Sequence, residues 1–221
     1  MKRLLTRTIW ALTKQLEAGD FVPVAYEMRF ENGKIDRVDL CKDKDKVYVK
    51  VLDYKTGSKA FDVVALYHGL QLQLMVYMDA AVKMTQKHYP DSEVIPAGVF
   101  YYRLNDPLVE KKVVGEEEEI WQKVLKELKV DGVMNLKDET LEHLDHCQVG
   151  ESAVIPVKYN KNGSLSKNSK VASEQEFEVM MRHALGKVLK VHQKILSGEV
   201  VAFPYRRKQE SGCDYCAYRH I

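Results

Sequence analysis

The stretch VYVKVLDYKTG, residues 47–57, decides how this sequence folds. It alternates valine with other residues, then ends on a carboxylate and an amine, Asp53 and Lys55, before Gly57 breaks the pattern. Because successive side chains of a strand point to opposite faces, Val51, Asp53 and Lys55 are predicted to share one face. The valines would lie in a core, and the acid and the base would emerge together at the rim of a sheet.

The residues before this strand predict two further strands of an antiparallel meander. Apolar residues alternate over residues 22–30, an Asn-Gly pair marks a hairpin turn, and a second apolar run covers residues 35–40. Asp36 lies on that second strand. A hairpin of suitable register would place its carboxylate beside that of Asp53.

The residues after this strand predict a crossover. Apolar residues at helical spacing cover residues 70–84, Pro90 ends this helix, and residues 94–104 form a fourth apolar strand. A strand–helix–strand passage of this length is typical of parallel pairing, so the fourth strand is expected to join the sheet in parallel.

Helical patterns at both ends of the chain complete the predicted architecture. Apolar residues recur at helical spacing in residues 5–16, and residues 116–128 form an amphipathic helix with acidic residues in its first turn. Ser173 and Glu176 form a capping box ahead of a long helix that stops at Gly198. The fold class is therefore α/β, with a central mixed β-sheet flanked by α-helices.

Length and composition narrow the class of protein. The chain has 221 residues, of which 45% are hydrophobic and 30% are charged, and its net charge is +2. This length suits one domain with a full core, and the small net charge does not decide for or against nucleic-acid binding. The sequence has no run of about 18 apolar residues, so no membrane span is predicted. Four cysteines in a chain of this length do not make a disulfide framework, which favours a cytoplasmic location.

The paired acids suggest a metal site. Two carboxylates held close together raise each other's pKa unless a cation joins them, and oxygen ligands suit a hard divalent cation such as Mg²⁺. An amine beside them, that of Lys55, could hold a water molecule or neutralise charge on a phosphate. The alternative is a solvated surface pair, because Asp-x-Lys is common at strand ends.

Two polar residues in the following helix strengthen the catalytic interpretation. Gln73 and Tyr77 are four residues apart, so they project from one helical face. Gln73 is flanked by leucines, where an apolar residue would serve the fold equally well. The alternative is a partly buried glutamine with a local hydrogen bond, next to a core tyrosine.

Three ordered segments carry a family resemblance. GKIDRVD, VLDYKTG and GLQLQLMVY resemble the G-x-I-D, D-Y-K and Q-x-x-x-Y motifs of the RecB-type branch of the PD-(D/E)XK nuclease superfamily. The sequence is more similar still to the C-terminal nuclease domains of AddB-type subunits of AddAB helicase–nucleases, including a late SGEVVAFPYR segment before C-x-x-C-x-Y. The likeness extends from about residue 20 to the end, and the ordered set is more specific than any single motif.

The resemblance implies a restriction-endonuclease-like fold and a role for each matching residue. Asp36 and Asp53 would be metal ligands for Mg²⁺ or Mn²⁺, with the backbone carbonyl of Tyr54 as a further ligand. Lys55 would be the catalytic lysine. The accessory pair that touches DNA or the catalytic centre would be Gln73 and Tyr77. For the family's earlier acidic or histidine residue the available candidate is Glu27, whose alternative is an exposed strand glutamate.

The tail, residues 204–221, departs from the pattern that the resemblance implies. AddB-type domains hold a four-cysteine [4Fe-4S] cluster, and Cys213 and Cys216 match the first two cysteines of its C-terminal group. The sequence ends before a third, so the cluster is expected in a full-length parent and not in this piece. Arg206 and Arg207 could contact DNA phosphates or lie in a solvated turn.

The resulting functional hypothesis is a metal-dependent deoxyribonuclease. Residues 1–221 would form one nuclease domain, a fragment of a larger AddB-like protein, cleaving single-stranded DNA with an AddA-like helicase–nuclease subunit in double-strand-break repair. One alternative is a nucleic-acid-binding or scaffolding module with the nuclease fold but no activity. The other is a standalone RecB-like exonuclease of a CRISPR-adaptation type.

Overall fold

The computed structural model describes residues 2–31, 33–57, 60–107, 117–207 and 210–218. The chain divides into two compact units, residues 1–185 and 186–221. The second unit begins upstream of the tail predicted from residue 204, and the prediction of a single nuclease domain stays a prediction.

The first unit contains a six-stranded sheet whose spatial order follows the chain order. Its strands are β1 (Val22–Phe30), β2 (Gly33–Asp43), β3 (Lys46–Lys55), β4 (Glu93–Arg103), β5 (Asp131–Asn135) and β6 (Val171–Ala172). The first three strands pair antiparallel, which confirms the predicted meander. The β3–β4 pair is parallel, which confirms the predicted crossover. Antiparallel β4–β5 and parallel β5–β6 pairs, which the sequence pattern does not predict, complete a mixed sheet.

Helices cover both faces of this sheet. They are α1 (Lys2–Glu17), α2 (Val63–Tyr67), α3 (Gln73–His88), α4 (Glu117–Glu127), α5 (Asp138–Leu144) and α6 (Glu174–Leu196). One core joins the sheet to α1, α4 and α5, and the other joins it to α2, α3 and the start of α6. The predicted α/β class with a mixed sheet between helices is confirmed.

The pattern of β1 differs from the prediction. The register shifts between Pro23 and Ala25, and Glu27 has a φ of +53°, which interrupts the regular alternation. Tyr26 is 64% exposed, whereas Met28 beyond the irregular residue packs against the core. The expectation that residues 22–30 bury one continuous apolar face is therefore wrong, because alternation holds only where the backbone stays regular.

The long C-terminal helix has the ends that the sequence predicted. The Ser173 amide donates to Oε2 of Glu176 at 2.6 Å, and the Glu176 amide donates to Oγ of Ser173 at 3.2 Å. These reciprocal bonds satisfy amide groups that the first helical turn leaves unpaired. Beyond the last helical residue, Gly198 adopts a φ of +70°, a conformation that glycine favours at helix ends.

The second unit carries the cysteine tail. Strands β7 (Arg206–Arg207) and β8 (Glu210–Ser211) pair antiparallel and lead into a 3₁₀ turn, Gly212–Tyr215. Within the parts of the chain described above, no helix combines the length and the apolar character needed to cross a bilayer.

Candidate active site

The β2–β3 hairpin brings the two predicted acids to one place. Arg37 pairs with Leu52 and Val38 pairs with Val51. Continued by one residue, this register sets Asp36 opposite Asp53. Residues directly opposite in an antiparallel pair lie on the same face with Cβ atoms about 5 Å apart.

The orientation of Asp36 is set by the backbone of β3. The Tyr54 amide donates a 2.9 Å hydrogen bond to Oδ2 of Asp36. The side chain of Tyr54 lies on the other face of the strand, where its ring meets Tyr102 edge-on and its hydroxyl lies 3.5 Å from a guanidinium nitrogen of Arg37. Tyr54 thus anchors the strand in one core while its backbone serves the opposite face.

Asp53 and Lys55 form an ion pair at the end of β3. Asp53 is 1% exposed, whereas the Lys55 side chain is 25% exposed. The predicted arrangement, with buried valines followed by an acid and a base at the rim on the same strand face, is the one the structure has. A solvated surface pair does not describe it, because the carboxylate is buried.

Hydrogen bonds connect the lysine to the following helix. The Lys55 ammonium donates to Oε1 of Gln73 at 3.0 Å, and the Gln73 amide donates to the Tyr77 hydroxyl at 2.8 Å. Tyr77 is partly buried and packs edge-on against Phe30. Gln73 therefore makes both the local bond of the bland alternative and the bond to the amine that the catalytic interpretation needs.

Two residues to which the sequence motifs assign no role extend this row across the sheet. Tyr101 pairs with Asp53 on β3 and with Asp131 on β5, so these three side chains lie level on neighbouring strands. The ring centroid of Tyr101 lies 5.7 Å from the Lys55 ammonium nitrogen. Burial raises the pKa of Tyr101, and the carboxylates of Asp53 and Asp131 raise it further, so the phenol stays neutral.

Asp131 is itself firmly held. It accepts a 2.7 Å hydrogen bond from the Phe61 amide and forms an ion pair with Lys170. Phe61 and Lys170 also line a cavity of about 710 Å³, whose walls include Val133 and Met180. Strand register was the information needed to find Tyr101 and Asp131, and register depends on β5, which the sequence pattern did not predict.

The adjacent tyrosines of β4 do not form a stacking platform for bases. Tyr101 and Tyr102 are both 0% exposed, and they belong to different cores. They point to opposite faces, as alternation requires, but both are core residues and not just one of them, because β4 is covered on each face.

A buried charge cluster lies behind the acids, on the other face of the meander. The Arg37 guanidinium donates to both carboxylate oxygens of Asp39, at 2.6 and 2.8 Å, and the Lys50 ammonium lies 3.0 Å from the same carboxylate. Asp39 is 0% exposed. Burial lowers the pKa of Lys50, although Asp39 opposes that effect. The IDRVD motif therefore sends Asp36 to the site and its next two charged residues into a core.

Other predicted site residues are not joined to this cluster by any described contact. Glu27 is exposed and forms an ion pair with Lys34 on the neighbouring strand. Its role as a metal ligand stays a prediction. Arg206 is exposed on β7 and Arg207 is partly buried there; their contact with DNA also stays a prediction.

The cysteine turn has an ordered backbone. The Cys213 amide donates to Oγ of Ser211 at 3.2 Å, and the Tyr218 amide donates to Sγ of Cys216 at 3.3 Å. Both thiols are free and exposed. Their assignment to an iron–sulfur cluster in a parent protein stays a prediction.

The acids at the strand ends suit a hard divalent cation by their chemistry. Asp36 and Asp53 offer carboxylate oxygens on one face of a hairpin, and their protein partners are a backbone amide and an ammonium group. Oxygen donors of this kind bind Mg²⁺ or Mn²⁺ in preference to softer metals. The donor set therefore fits such an ion.

A mixed sheet with two acids and a lysine at its strand ends, between layers of helices, defines a nuclease class. The chain belongs to the PD-(D/E)XK nuclease superfamily, whose family model matches residues 1–221. Members of this superfamily generally use divalent metals. The family resemblance inferred from the three motifs is confirmed.

The curated relatives narrow the family further. The chain is similar over its whole length to proteins named as the AddB component of an ATP-dependent helicase/deoxyribonuclease. It is 39% identical to the one from Lachnoclostridium phytofermentans, 34% to the one from Alkaliphilus oremlandii and 31% to the one from Caldanaerobacter subterraneus subsp. tengcongensis. It covers 20%, 21% and 21% of these proteins, so the chain spans about a fifth of the length of its relatives.

Proposed function

We propose that this chain is the metal-dependent nuclease domain of an AddAB-type helicase–nuclease and hydrolyses phosphodiester bonds of single-stranded DNA. The observation that carries the proposal is the unbroken connection from Asp53 through Lys55 and Gln73 to Tyr77, beside Asp36. A fold kept only as a scaffold would not need to hold a lysine between an acid and an amide.

Each side chain has a distinct part in the proposed reaction. Asp36 and Asp53 would hold Mg²⁺ or Mn²⁺, with the Tyr54 carbonyl and Glu27 as further candidate ligands. A bound divalent ion supplies Lewis-acid stabilisation of the phosphate and lowers the pKa of a bound water. Lys55 would orient the attacking water and neutralise charge on the phosphate oxygens.

Gln73 and Tyr77 act on the lysine. Gln73 accepts from the Lys55 ammonium, and Tyr77 accepts from Gln73, so the amide is fixed with its oxygen toward the amine. A lysine side chain has four rotatable bonds, and holding its head restricts it to the reactive position. The pair would therefore raise the fraction of time that Lys55 is correctly placed.

The preference for single strands rests on the cavity next to Asp131. Its walls combine the apolar side chains of Phe61, Val133 and Met180 with the cation of Lys170. Unpaired bases expose flat apolar faces and sit beside phosphates, so mixed apolar and cationic walls suit them. In a duplex these faces are stacked and unavailable.

The setting is proposed from the relatives. Their names describe one component of an ATP-dependent helicase and deoxyribonuclease. An AddA-like subunit and the rest of an AddB-like chain would feed the strand to this domain in the cytoplasm during double-strand-break repair. In such a parent, Cys213 and Cys216 would supply two of the four thiolates of a [4Fe-4S] cluster, which this piece would lack.

The test is cleavage of end-labelled single-stranded DNA with Mg²⁺ or Mn²⁺. Asp53→Ala and Lys55→Ala are each expected to lower the rate by about a hundredfold or more, as removal of one group that stabilises transition-state charge does. Matched controls are Asp45→Asn, an exposed acid in the β2–β3 turn, and Lys83→Ala, an exposed lysine of α3. Both should keep the wild-type rate.

Two results would contradict the proposal. Equal rates in the wild type, Asp53→Ala and Lys55→Ala would assign the cleavage to a contaminant. Metal-independent binding of the strand without cleavage would favour the non-catalytic module. A duplex of the same sequence should be cut more slowly than the single strand.

A further inference from the structure

A second group of metal-binding side chains lies away from the catalytic acids. Donor atoms of Asp20, Cys41 and His143 all lie within 4.8 Å of one another. Cys41 and Asp36 are five residues apart on β2, about 17 Å at the rise of a strand, and point to opposite faces. The group is therefore separate from the candidate active site.

The backbone holds the three elements of this group together. The Asp20 amide donates to the His143 carbonyl at 2.8 Å, and the His146 amide donates to the Ala18 carbonyl at 2.8 Å. A Cβ on Gly19 would stand 2.3 Å from the His143 carbonyl oxygen, so only glycine permits this approach. The turn after α1 and the end of α5 are thus fixed against each other.

The side chains converge on one carboxylate. Nδ1 of His143 lies 2.8 Å from one oxygen of Asp20, and Nε2 of His146 lies 2.9 Å from the other. Asp43, next to Cys41 but one, has an oxygen 3.9 Å from Nε2 of His143. Cys41 is 4% exposed and forms the floor of the group.

Hydrogen bonds between Asp20 and the two imidazoles would account for a simple clamp, but they do not involve the thiol. A thiol, an imidazole and a carboxylate together are the donor set that Zn²⁺ binds. Tetrahedral zinc with these donors spaces neighbouring ligand atoms about 3.3–3.6 Å apart. Since the atoms already lie within 4.8 Å, small side-chain movements would be enough.

We propose that Asp20, Cys41 and His143 form a structural zinc site, with His146 as the fourth ligand. Binding would exchange the thiol proton of Cys41 for the metal, releasing that proton to solvent. The ion would join the turn after α1, strand β2 and the end of α5, three segments distant in sequence. The site is independent of the proposed nuclease chemistry.

The test uses cobalt as a spectroscopic substitute for zinc. Replacing Cys147, Cys213 and Cys216 with serine leaves Cys41 as the single cysteine of the chain. Titration of this metal-stripped variant with Co²⁺ is expected to give a thiolate-to-cobalt charge-transfer band that saturates at one equivalent. One equivalent of Zn²⁺ should abolish the band and raise the melting temperature.

Variants of the ligands then locate the site. In the single-cysteine background, Cys41→Ala should remove the band, and His143→Gln and Asp20→Asn should each weaken cobalt binding at least tenfold. Asp45→Asn and the catalytic-site variant Asp36→Asn should leave the band unchanged. Circular dichroism establishes that each variant is folded.

Two outcomes overturn the proposal. One is the absence of a thiolate band in the single-cysteine protein at saturating Co²⁺, a result that does not depend on any buried substitution. The other is a band whose intensity and affinity are the same in His143→Gln and Asp20→Asn, because that would place the thiolate's metal elsewhere.

Discussion

The Tyr54 backbone amide donates a 2.9 Å hydrogen bond to Oδ2 of Asp36 across the β2–β3 pair. The acid is therefore oriented by the sheet itself and not by a neighbouring side chain. A backbone donor has little freedom to move, so this carboxylate is preorganised before a cation or substrate arrives.

Asp36→Asn should separate the structural bond from the charge. Its side-chain oxygen can still accept from the Tyr54 amide, so the free energy of unfolding should change by less than about 1 kcal/mol, the net worth of a typical hydrogen bond. Mn²⁺ affinity should fall at least tenfold, because one ligand charge is lost. Calorimetric titration and chemical denaturation measure the two effects.

Asp36→Ala is the matched comparison. It leaves the Tyr54 amide without this acceptor and should destabilise by about 1–3 kcal/mol. If Asp36→Asn bound Mn²⁺ as tightly as the wild type, Asp36 would not be a metal ligand.

Gln73 and Tyr77 should act as one unit. Gln73→Leu removes a hydrogen bond to a charged amine, worth about 1.5–3 kcal/mol, so kcat should fall about ten- to a hundredfold. Tyr77→Phe should have a smaller effect. The double variant should be no slower than Gln73→Leu, since the tyrosine acts only through the amide.

Single-turnover cleavage rates measure this coupling, and Lys83→Ala on the same helix is the control. Fully additive losses in the double variant would show that Tyr77 acts separately from Gln73.

The buried cluster of Arg37, Asp39 and Lys50 should be sensitive to the loss of one member. Asp39→Ala leaves two cations buried without their carboxylate and should destabilise by about 3–5 kcal/mol. Replacing all three residues, as Arg37→Met, Asp39→Leu and Lys50→Met, should recover most of that loss, because no charge is then left in the core. Urea denaturation measures both variants.

The exposed substitution Asp45→Ala should change stability by less than about 0.5 kcal/mol. A triple variant as unstable as Asp39→Ala would mean that the charges are needed for more than their mutual neutralisation.

Asp106 should make stability fall in acid. Burial tends to raise its pKa, but hydrogen bonds from Arg3 and Arg7 outweigh burial and lower the pKa below 3.8. A carboxyl group with a depressed pKa contributes its full stabilisation above its unfolded value, 3.8, and loses it as pH falls through the folded value. The melting temperatures of the wild type and Asp106→Asn should therefore converge in acid.

Melting curves from neutral pH to about pH 2 test this convergence, since the relevant range lies around and below the usual aspartate pKa. A difference between the two proteins that stays constant over the whole range would exclude Asp106 as its source.

Much of the candidate site was predictable because its information is local. Alternation along β3 placed Asp53 and Lys55 on one face beyond the core valines, and i, i+4 spacing placed Gln73 and Tyr77 on one side of α3. The parallel strand followed from the length of the crossover. Each of these inferences depends on backbone geometry that repeats every two or four residues.

Other features required the tertiary structure. Local alternation wrongly predicted one buried face for β1, where Glu27 interrupts the backbone pattern. The short strand β5, which sets Asp131 level with Tyr101, has too few residues to show a clear period.

By itself the sequence determined the order of the motifs, the faces on which their side chains lie and the antiparallel hairpin that carries both acids. The tertiary structure alone decided the partners: Tyr54 for Asp36, Gln73 for Lys55, and the meeting of Asp20 with Cys41. The physical reason is that periodicity describes one element at a time. Contacts between elements depend on register, on loop closure and on how closely two backbones can approach, and these depend on the whole chain at once.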